Sequence, residues 1–582
     1  MSSNRYGLRF YALVAGAGCI TLASFVQGVL PMIEPESRTD KVTKVVRTDL
    51  GELKWMEHKA SDYTALEAKG RAVYIREGCW YCHSQYIRPV TGETRRWGPV
   101  TQAGEYAYDK PHLFSTRRIG PDLSRVGLKY SDAWHLAHFW NPRMLSRDSI
   151  MPRFTALFDK PLVAKIVTDA SGVRSIERTP ATQMLFDFTK PDATLLLTPN
   201  PDGLVYVAER GKSPVVYTPN KEYSGDTVTL LSDTPDLRSL IAYLQKLGTN
   251  RGKWRDRFEP QLMEASQVTV PRSEEWVAYG KEVYERRCIG CHGVKGDGNG
   301  PAAAFMQHDR PRNFTLGVFK FRLTPSGSLP DDGDLLRTIT RGVRGTSMPS
   351  WHELAQKDTL SVIQYIKYEL SADRSKGDKP YLYFVEEPPK APLYIGEPPK
   401  PSAELVTRGK AVWQASKCWE CHGQGGKGDG EKAAGLKDDL GFPIPPANLT
   451  TGQFKSGPGP KDIFRTMSTG LSGTPMPSFA DSVSEADRWA LSYYVLSLSA
   501  FKDPLTGEPM KITQADRDVL NDPSTKANES HYAYRGQVAK KATAFAGAAW
   551  AKKHGFDFAA VRDEDASAAM PRPSVPAAPA PR

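Results

Sequence analysis

The sequence of 582 residues contains little apolar sequence of membrane-spanning length. One stretch, from Phe10 to Met32, runs for 23 residues without a charge, and no second one follows. This composition excludes a multi-span membrane protein. The run is longer than the apolar part of a usual signal peptide, and no clear small-residue cleavage site follows it. We therefore expect a single uncleaved transmembrane helix, with Arg5 and Arg9 on its cytoplasmic side.

Cysteine is also scarce, and its seven copies are distributed unevenly. Six of them form three C-x-x-C-H boxes, at Cys79-Trp80-Tyr81-Cys82-His83, Cys288-Ile289-Gly290-Cys291-His292 and Cys418-Trp419-Glu420-Cys421-His422. The seventh, Cys19, lies in the apolar run, so no structural disulfide is expected.

The spacing of the boxes has a chemical reason. Two cysteines three residues apart share one face of a helical turn, where both sulfurs can reach the vinyl groups at one edge of a porphyrin. The adjacent histidine can then bind the iron. Zinc sites and thiol redox sites also use C-x-x-C. The immediate histidine and the threefold recurrence instead favour three covalently bound c haems. Bacteria attach c haem outside the cytoplasm, so we expect the haem domains on the periplasmic side of the inner membrane.

Acidic residues are fewer than basic ones, which gives a net charge of +11 and a pI near 9.1. The lysines and arginines form no long runs and accompany no nucleic-acid reader motif, so no nucleic-acid partner is expected. The positive charge fits a solvated surface or one that steers an acidic electron donor. The run from Gly293 to Gly300 lacks the Lys-Ser/Thr ending of a phosphate loop and predicts turns beside a haem.

A repeated helix precedes each box. Its glycine, at Gly70, Gly280 and Gly409, stands eight or nine residues before the first cysteine. Glycine costs a helix about 1 kcal/mol, but it lets a second helix cross in close contact. Apolar helical patterns follow each box at Leu237 to Leu247, Leu360 to Leu370 and Trp489 to Leu498. We expect these helices to cross the first set, with Tyr243, Tyr365 and Tyr493 at the contacts.

The sixth iron ligand of each haem has to come from the segment between these helices. A Met-Pro pair occurs there in each unit, at Met151-Pro152, Met348-Pro349 and Met476-Pro477. Methionine is a soft ligand that raises the haem potential, and the proline stiffens the chain that presents the sulfur. Met144, Met306 and Met467 are rivals in the same segments, since methionine is often plain packing. The repeated contexts around Met348 and Met476 favour the Met-Pro set.

Four histidines outside the boxes are further candidates for iron ligands: His112, His135, His138 and His352. His135 and His138 stand in a helical pattern. There, a structural histidine or one that faces a haem propionate is favoured over an iron ligand.

These patterns predict a mainly α protein with one N-terminal transmembrane helix and three class I cytochrome c domains. The expected boundaries are an anchor at 1–34, a first domain at 35–250 with a β insertion at about 160–232, and a linker at 251–273. A second domain at 274–373, a Pro-rich linker at 374–401 and a third domain at 402–500 follow. The tail at 501–582 is expected to be partly disordered, although 536–553 could form a helix.

The β insertion separates Met151 from the closing helix of the first domain. The expected strands are Leu195 to Thr198, Leu204 to Ala208, Val215 to Tyr217 and Thr227 to Leu231, with a turn at Asn200 to Gly203. The Pro-rich linker repeats Glu-Pro-Pro-Lys and is expected to be a semi-rigid spacer along the surface.

The first domain resembles the mono-haem cytochrome c subunit of cbb3-type cytochrome c oxidases. The matching runs are Tyr74-Ile75-Arg76-Glu77-Gly78, His83-Ser84-Gln85-Tyr86-Ile87-Arg88-Pro89, Arg117-Arg118-Ile119-Gly120-Pro121-Asp122-Leu123, Tyr130-Ser131-Asp132-Ala133-Trp134-His135 and Ser149-Ile150-Met151-Pro152. The two further cytochrome c domains are similar in number to the separate di-haem subunit of the same oxidases.

This resemblance implies a function and a partner. His83 and Met151 would be the axial ligands of the haem that passes electrons to the haem-copper catalytic subunit, a separate membrane protein. The chain would then be a membrane-anchored triheme subunit that takes electrons from a soluble cytochrome or copper protein. It departs from the family in its β insertion, its C-terminal tail and the absence of the di-haem subunit's own membrane helix.

Two alternatives remain open at the level of sequence. The same chain could deliver electrons to a nitric oxide reductase or another membrane oxidoreductase, although the run around His83 favours an oxidase. It could also be a di-haem-peroxidase-like enzyme, in which one iron has an open coordination position. Three Met-Pro candidates argue against an open iron, and no independent catalytic residue is expected.

Overall fold

The structure is a computed structural model. It describes residues 5–29, 33, 38–88, 93–160, 162–168, 226–231, 233–258, 272–306, 309–375, 379–442 and 444–522, with short pieces between 170 and 217. The longer helices in these ranges are α1 (Arg5–Ser24), α2 (Ala65–Arg76), α3 (Asp132–Trp140), α4 (Pro235–Lys246), α5 (Glu274–Arg287), α6 (Asp332–Arg341), α7 (Gln356–Tyr365), α8 (Ala403–Ala415), α9 (Pro460–Thr469), α10 (Glu485–Ser497) and α11 (Gln514–Asn521).

The strands are short and belong to three separate sheets. They are β1 (Lys41–Arg47), β2 (Leu53–Lys59), β3 (Leu162–Thr168), β4 (Arg174–Ile176), β5 (Val205–Val207), β6 (Val215–Tyr217), β7 (Thr227–Leu230), β8 (Ala372–Asp373) and β9 (Tyr381–Leu382). The expectation of a mainly helical protein with cytochrome c domains is confirmed.

The N-terminal helix has the properties of a membrane span. α1 continues as a π-helix at Phe25–Val29, and the segment Phe10–Val29 is long and apolar enough to cross a bilayer. None of that segment is buried against the rest of the protein. Large apolar side chains such as Phe10, Leu13 and Ile20 are more than 60% exposed, which is costly in water and favourable in lipid.

Each unit contains the predicted pair of crossing helices. We call α2 with α4, α5 with α7, and α8 with α10 the helix pairs of the first, second and third units. At the crossing glycine of each pair, an added Cβ would overlap with a backbone carbonyl of the partner helix. The overlapping groups are Gly70 with Ser239, Gly280 with Ser361, and Gly409 with Ala490. The glycines are therefore required by the close approach of the two backbones.

An aromatic pair packs beside each crossing. Tyr74 meets Tyr243 with ring centroids 5.4 Å apart, and Tyr284 meets Tyr365 at 5.3 Å. In the third unit the expected contact by Tyr493 is wrong. Its neighbour Tyr494 packs on Trp413, at 5.6 Å between ring centroids. Tyr493 instead points to the linker, where its hydroxyl donates to the Pro399 carbonyl at 2.6 Å.

The insertion in the first unit is a five-stranded antiparallel sheet. Its strand order is β5-β6-β4-β3-β7, and β3 pairs with β7 from Leu162 opposite Leu230 to Lys165 opposite Thr227. β5, β6 and β7 coincide with expected strands. β3 and β4 were not expected, and the strand expected at 195–198 lies outside the described residues.

A hairpin that the sequence did not predict packs on the segment that follows the third unit. β1 and β2 pair from Lys41 opposite Lys59 to Arg47 opposite Leu53. Val46 and Met56 of this hairpin are buried against Phe501 and Leu520, which lie beyond the third unit. The first part of the tail, to residue 522, is therefore packed structure, and the expected helix at 536–553 lies outside the described residues.

The Pro-rich linker runs along the surface of the second and third units, as expected. Its backbone bonds to the second unit through the amide of Leu393, which donates to the Leu323 carbonyl at 2.9 Å. Glu397 forms an ion pair with Lys461 of the third unit at 2.7 Å. The linker thus ties the two units together.

Candidate functional site

Each box forms a short helical turn directly after the first helix of its unit. The first turn is a 3-10 helix at Cys79–Tyr81, and the others are α-helical turns at Ile289–His292 and Trp419–His422. This geometry places the two cysteines of each box on one side. Burial raises the pKa of the Cys79 and Cys288 thiols to about 12 and that of Cys418 to about 11. The thiols are therefore protonated at neutral pH in the protein without haem.

The three box histidines are oriented in the same way. The Nδ1 atom of each ring lies within hydrogen-bond reach of a backbone carbonyl: His83 with Pro121 at 2.8 Å, His292 with Arg312 at 3.1 Å and His422 with Ala447 at 3.4 Å. A proton on Nδ1 leaves the Nε2 lone pair available to a metal. Burial lowers the pKa of all three rings, to about 4 for His292, so they are neutral.

The first unit contains a cavity that brings the predicted ligands together. It measures about 1130 Å³, above the usual range for small-molecule sites of about 300–1,000 Å³. Cys79, Cys82, His83 and Met151 all line it. Its size and mostly apolar lining suit a porphyrin, with the cysteines and the histidine at one side and the methionine from another segment.

The donors in the described ranges are not arranged as zinc requires. Within the described ranges, no three His, Cys, Asp or Glu residues come together as a metal site. The six box cysteines are all free of disulfides. Zinc sites in proteins have three or four such ligands around one point. The residues that are present fit a group that brings its own iron and needs only two axial ligands and two thioether bonds.

The segments that carry Met151, Met348 and Met476 are built alike. In each, the methionine amide donates to a hydroxyl two residues earlier, on Ser149 at 3.3 Å, Thr346 at 3.1 Å and Thr474 at 3.2 Å. Three residues after each methionine, a backbone amide bonds back to the preceding helix. These amides belong to Phe154, Trp351 and Phe479, and their acceptors are Phe139, Ile339 and Met467.

In the second and third units, the box and the methionine segment are both close to the apolar cluster of their unit. Cys288 packs on the apolar cluster of the second unit, which Trp351 also contacts. Cys418 packs on the cluster of the third unit, which contains Met467. The three rival methionines have packing roles. Met306 is 1% exposed and Met467 is 5% exposed, both inside apolar clusters, and Met144 packs at the edge of the first.

The second unit docks on the first through its own box, a contact that was not predicted from the sequence. An added Cβ at Gly290, in the middle of the second box, would overlap with the carbonyl of Met144. Cys291 packs against the core of the first unit, and Phe305 and Met306 are buried in that core. Gly290 is the one sequence feature that could have indicated this contact, because it leaves room for the Met144 backbone. The third box has Glu420 at the equivalent position.

A second contact lies beside Met348. The hydroxyls of Ser131 and Ser347 are 2.6 Å apart, so the segment that carries Met348 is bonded to the first unit. Ser350 and His352 of the second unit line the large cavity of the first. His352 is thus placed beside the first cavity, whereas His112 stacks on Phe114 at 4.9 Å and does not line it.

The second and third units also share an interface. Arg322 donates to the Thr469 carbonyl at 2.8 Å, and Arg341 pairs with Asp462 at 3.1 Å. The guanidinium of Arg310 lies 4.0 Å from the centre of the Phe442 ring. A further network links all three units, because Asp256 bonds both Arg47 and Arg344, and Arg47 also donates to the Pro458 carbonyl.

The comparisons with known proteins agree with this construction. Residues 52–251 match the family model for the cytochrome c oxidase mono-heme subunit, FixO. Residues 277–366 match the cbb3-type cytochrome c oxidase subunit III model, and residues 406–499 match the cytochrome c model. A comparison with curated proteins finds no match.

One solved structure with a similar chain is the Kuenenia stuttgartiensis reducing HAO-like protein complex Kustc0457/Kustc0458. That chain is 40% identical, and the match covers 40% of this chain and 99% of that one, with a TM-score of 0.36.

The fold, the boxes and the family-model matches define a c-type cytochrome, a class of electron-transfer protein with covalently bound haem c. Residues 52–251 belong to the mono-heme subunit family of the cbb3-type cytochrome c oxidases. The chain is an electron-transfer cytochrome c subunit of such an oxidase, in which the mono-heme subunit is fused to further cytochrome c domains. These families imply a haem-copper catalytic subunit as partner, and α1 fits a membrane anchor.

Proposed function

We propose that this chain is a membrane-anchored conductor with three c haems, which carries electrons from a soluble donor to the haem-copper catalytic subunit. The observation that carries the proposal is the threefold repetition of one construction. Each unit has a glycine-crossed helix pair, a box, a histidine held by a backbone carbonyl, and a methionine whose amide bonds to a hydroxyl two residues earlier.

The residues that would hold each haem follow from this repetition. The thioether bonds would form at Cys79 and Cys82, Cys288 and Cys291, and Cys418 and Cys421. The axial pairs would be His83 with Met151, His292 with Met348, and His422 with Met476. When bound, haem c supplies one-electron redox chemistry, and a thioether ligand keeps its potential high. The protein contributes the positions of the three sites and their burial.

The contacts between units support one order of electron flow, from the third unit through the second to the first. The box of the second unit contacts the first unit at Gly290, and the Met348 segment contacts it at Ser347. The second and third units meet through Arg322 and Arg341. The first unit belongs to the family whose partner is the catalytic subunit, so it stands last in the series.

The third unit is the proposed entry point for a soluble cytochrome or copper protein. Exposed lysines lie beside its box, where Lys432 and Lys417 pair with Glu420. Charged edges suit short-lived encounters with a mobile carrier. We place the haem units on the periplasmic side of the bacterial inner membrane, because Arg5 and Arg9 precede the apolar segment.

A redox titration of the purified chain tests this proposal. We expect three one-electron steps per chain, and we expect the reduced protein to bind no carbon monoxide because each iron has two axial ligands. A carbonyl complex at one haem would contradict the proposal and favour an enzyme with an open iron.

A further inference from the structure

Three buried charged side chains meet where the three units come together. Asp256 lies in the segment predicted as a linker, and its carboxylate contacts Arg47 of β1 and Arg344 of the second unit. The Nη2 atom of Arg47 lies 3.3 Å from Oδ2 of Asp256. The side chains of Arg47, Asp256 and Arg344 are 2%, 4% and 8% exposed. We call these three residues the buried ion set. They come from three distant parts of the chain, so the set forms only when those parts are docked.

Arg47 extends the buried ion set to the third unit. Its Nη2 donates to the Pro458 carbonyl at 3.1 Å, and its Nη1 donates at 2.8 Å to the Gly51 carbonyl, in the turn between β1 and β2. Its backbone carbonyl accepts the amide of Phe501 at 2.9 Å. One residue of the N-terminal hairpin is thus joined to the second unit through Asp256 and to the third unit directly.

Both ends of the buried ion set lie close in sequence to a proposed iron ligand. Arg344 precedes Met348 by four residues, and the turn between them closes on the Met348 carbonyl. Pro458 stands two residues before α9, and just beyond α9 the Leu471 amide donates to the Met476 carbonyl at 3.0 Å. A displacement at either end of the set would therefore move a segment that carries a methionine.

The cost of burying these charges indicates what they contribute. A buried ion set loses the hydration of every charge, and well-packed apolar side chains in its place often give equal or greater stability. Its advantage is direction, because a guanidinium presents its N–H groups in a rigid plane that matches a carboxylate. Apolar contacts have no comparable directionality. The buried ion set is therefore suited to defining one register between the units.

We propose that the buried ion set fixes the second and third units in one register against the N-terminal hairpin, and so holds their two redox sites at one distance. The inference rests on the proposed haems of these two units. Arg47, Asp256 and Arg344 are positioning residues, because they act through the segments that carry Met348 and Met476. The hairpin thereby has a role in electron transfer between units in addition to its packing.

An apolar replacement of the whole set separates register from stability. The comparison is between Asp256→Leu and the triple variant Arg47→Met/Asp256→Leu/Arg344→Met, both in the full-length chain with its haems. Asp256→Leu leaves two buried guanidinium groups without their carboxylate and should unfold at a clearly lower temperature than wild type. The triple variant removes all three charges and should unfold at a higher temperature than Asp256→Leu.

The register is measured by pulsed electron paramagnetic resonance between the ferric haems. Wild type should give one narrow distance distribution for the second and third haems. The triple variant should give a broader one, with slower and multiphasic electron transfer between them and unchanged reduction potentials. Lys367→Met/Asp332→Leu is the matched control, because it removes a buried ion pair of 2.7 Å that lies within the second unit. This control should keep the narrow distribution.

Four results would overturn the inference. A triple variant with the distribution of wild type would mean that other contacts set the register. A triple variant less stable than Asp256→Leu would mean that the set serves stability. A shifted potential of either haem would mean that the set acts on the iron, and equal broadening in the control would mean that the loss of any buried ion pair has this effect. A haem count on the same samples keeps this test separate from the proposed function, because a missing haem would be seen directly.

Discussion

At the scale of single residues, the three box histidines are oriented alike, whatever residue stands beside each of them. Pro121, Arg312 and Ala447 are different residues, yet each offers its carbonyl to a box histidine. The carbonyl is a backbone property, so the sequence around it is free to vary. The sequence therefore could not predict which carbonyl each box histidine meets.

The methionine assignment leads to a direct prediction. Met151→His should lower the potential of the first haem by more than about 59 mV, the equivalent of a tenfold change in electron affinity, because imidazole stabilises ferric iron better than a thioether does. Spectroelectrochemical titration of the purified chain measures this. Met144→Leu is the control, since Met144 packs at the edge of the apolar cluster and should leave all three potentials in place. An unchanged potential in Met151→His would show that Met151 is not a ligand.

At the scale of elements, the helix pairs depend on glycine at their crossings. Gly280→Ala should destabilise the second unit by about 1–3 kcal/mol, because the new Cβ overlaps with the Ser361 carbonyl and the helices have to separate. Thermal unfolding of the haem-loaded chain measures the effect. Gly425→Ala is the matched control, as the space around Gly425 is open. If both variants unfold alike, the crossing glycine has no packing role.

Some helices and strands could be predicted from the sequence, and others could not. The boxes, the crossing glycines and the strands β5, β6 and β7 were predicted, because each leaves a local signal in composition or spacing. Tyr494 was missed in favour of Tyr493, since two adjacent tyrosines differ only in the rotation of the helix. The β1–β2 hairpin was missed because the residues that bury it, Phe501 and Leu520, lie more than 400 positions along the chain.

At the scale of the whole molecule, the units contact one another at a few specific residues. The box of the second unit packs against the first unit. A hydrogen bond between Ser131 and Ser347 joins the Met348 segment to the first unit. The Asp256 carboxylate, buried between Arg47 and Arg344, ties the N-terminal hairpin to the second unit. No local sequence pattern predicts these contacts, except that a glycine at position 290 leaves room for the close approach to Met144.

This arrangement predicts an effect of that glycine on electron transfer. Gly290→Ala should slow transfer between the second and first haems severalfold, because the added methyl group forces the box away from the Met144 carbonyl. Flash photolysis of the three-haem chain measures the rate. Glu420→Ala changes the same place in the third box, where Glu420 pairs with Lys417 and Lys432 of its own unit, and should leave this rate unchanged. Equal rates in Gly290→Ala and wild type would mean that electrons do not cross at this contact.

We propose that one chain carries three haems and serves a haem-copper oxidase. Native mass spectrometry of the complex, extracted from membranes in mild detergent, tests it most directly, because it weighs this chain with its covalent haems and identifies the subunits that accompany it. We expect three haems on this chain and an oxidase catalytic subunit in the same particle. Fewer than three haems, or a nitric oxide reductase core in place of the oxidase, would contradict it.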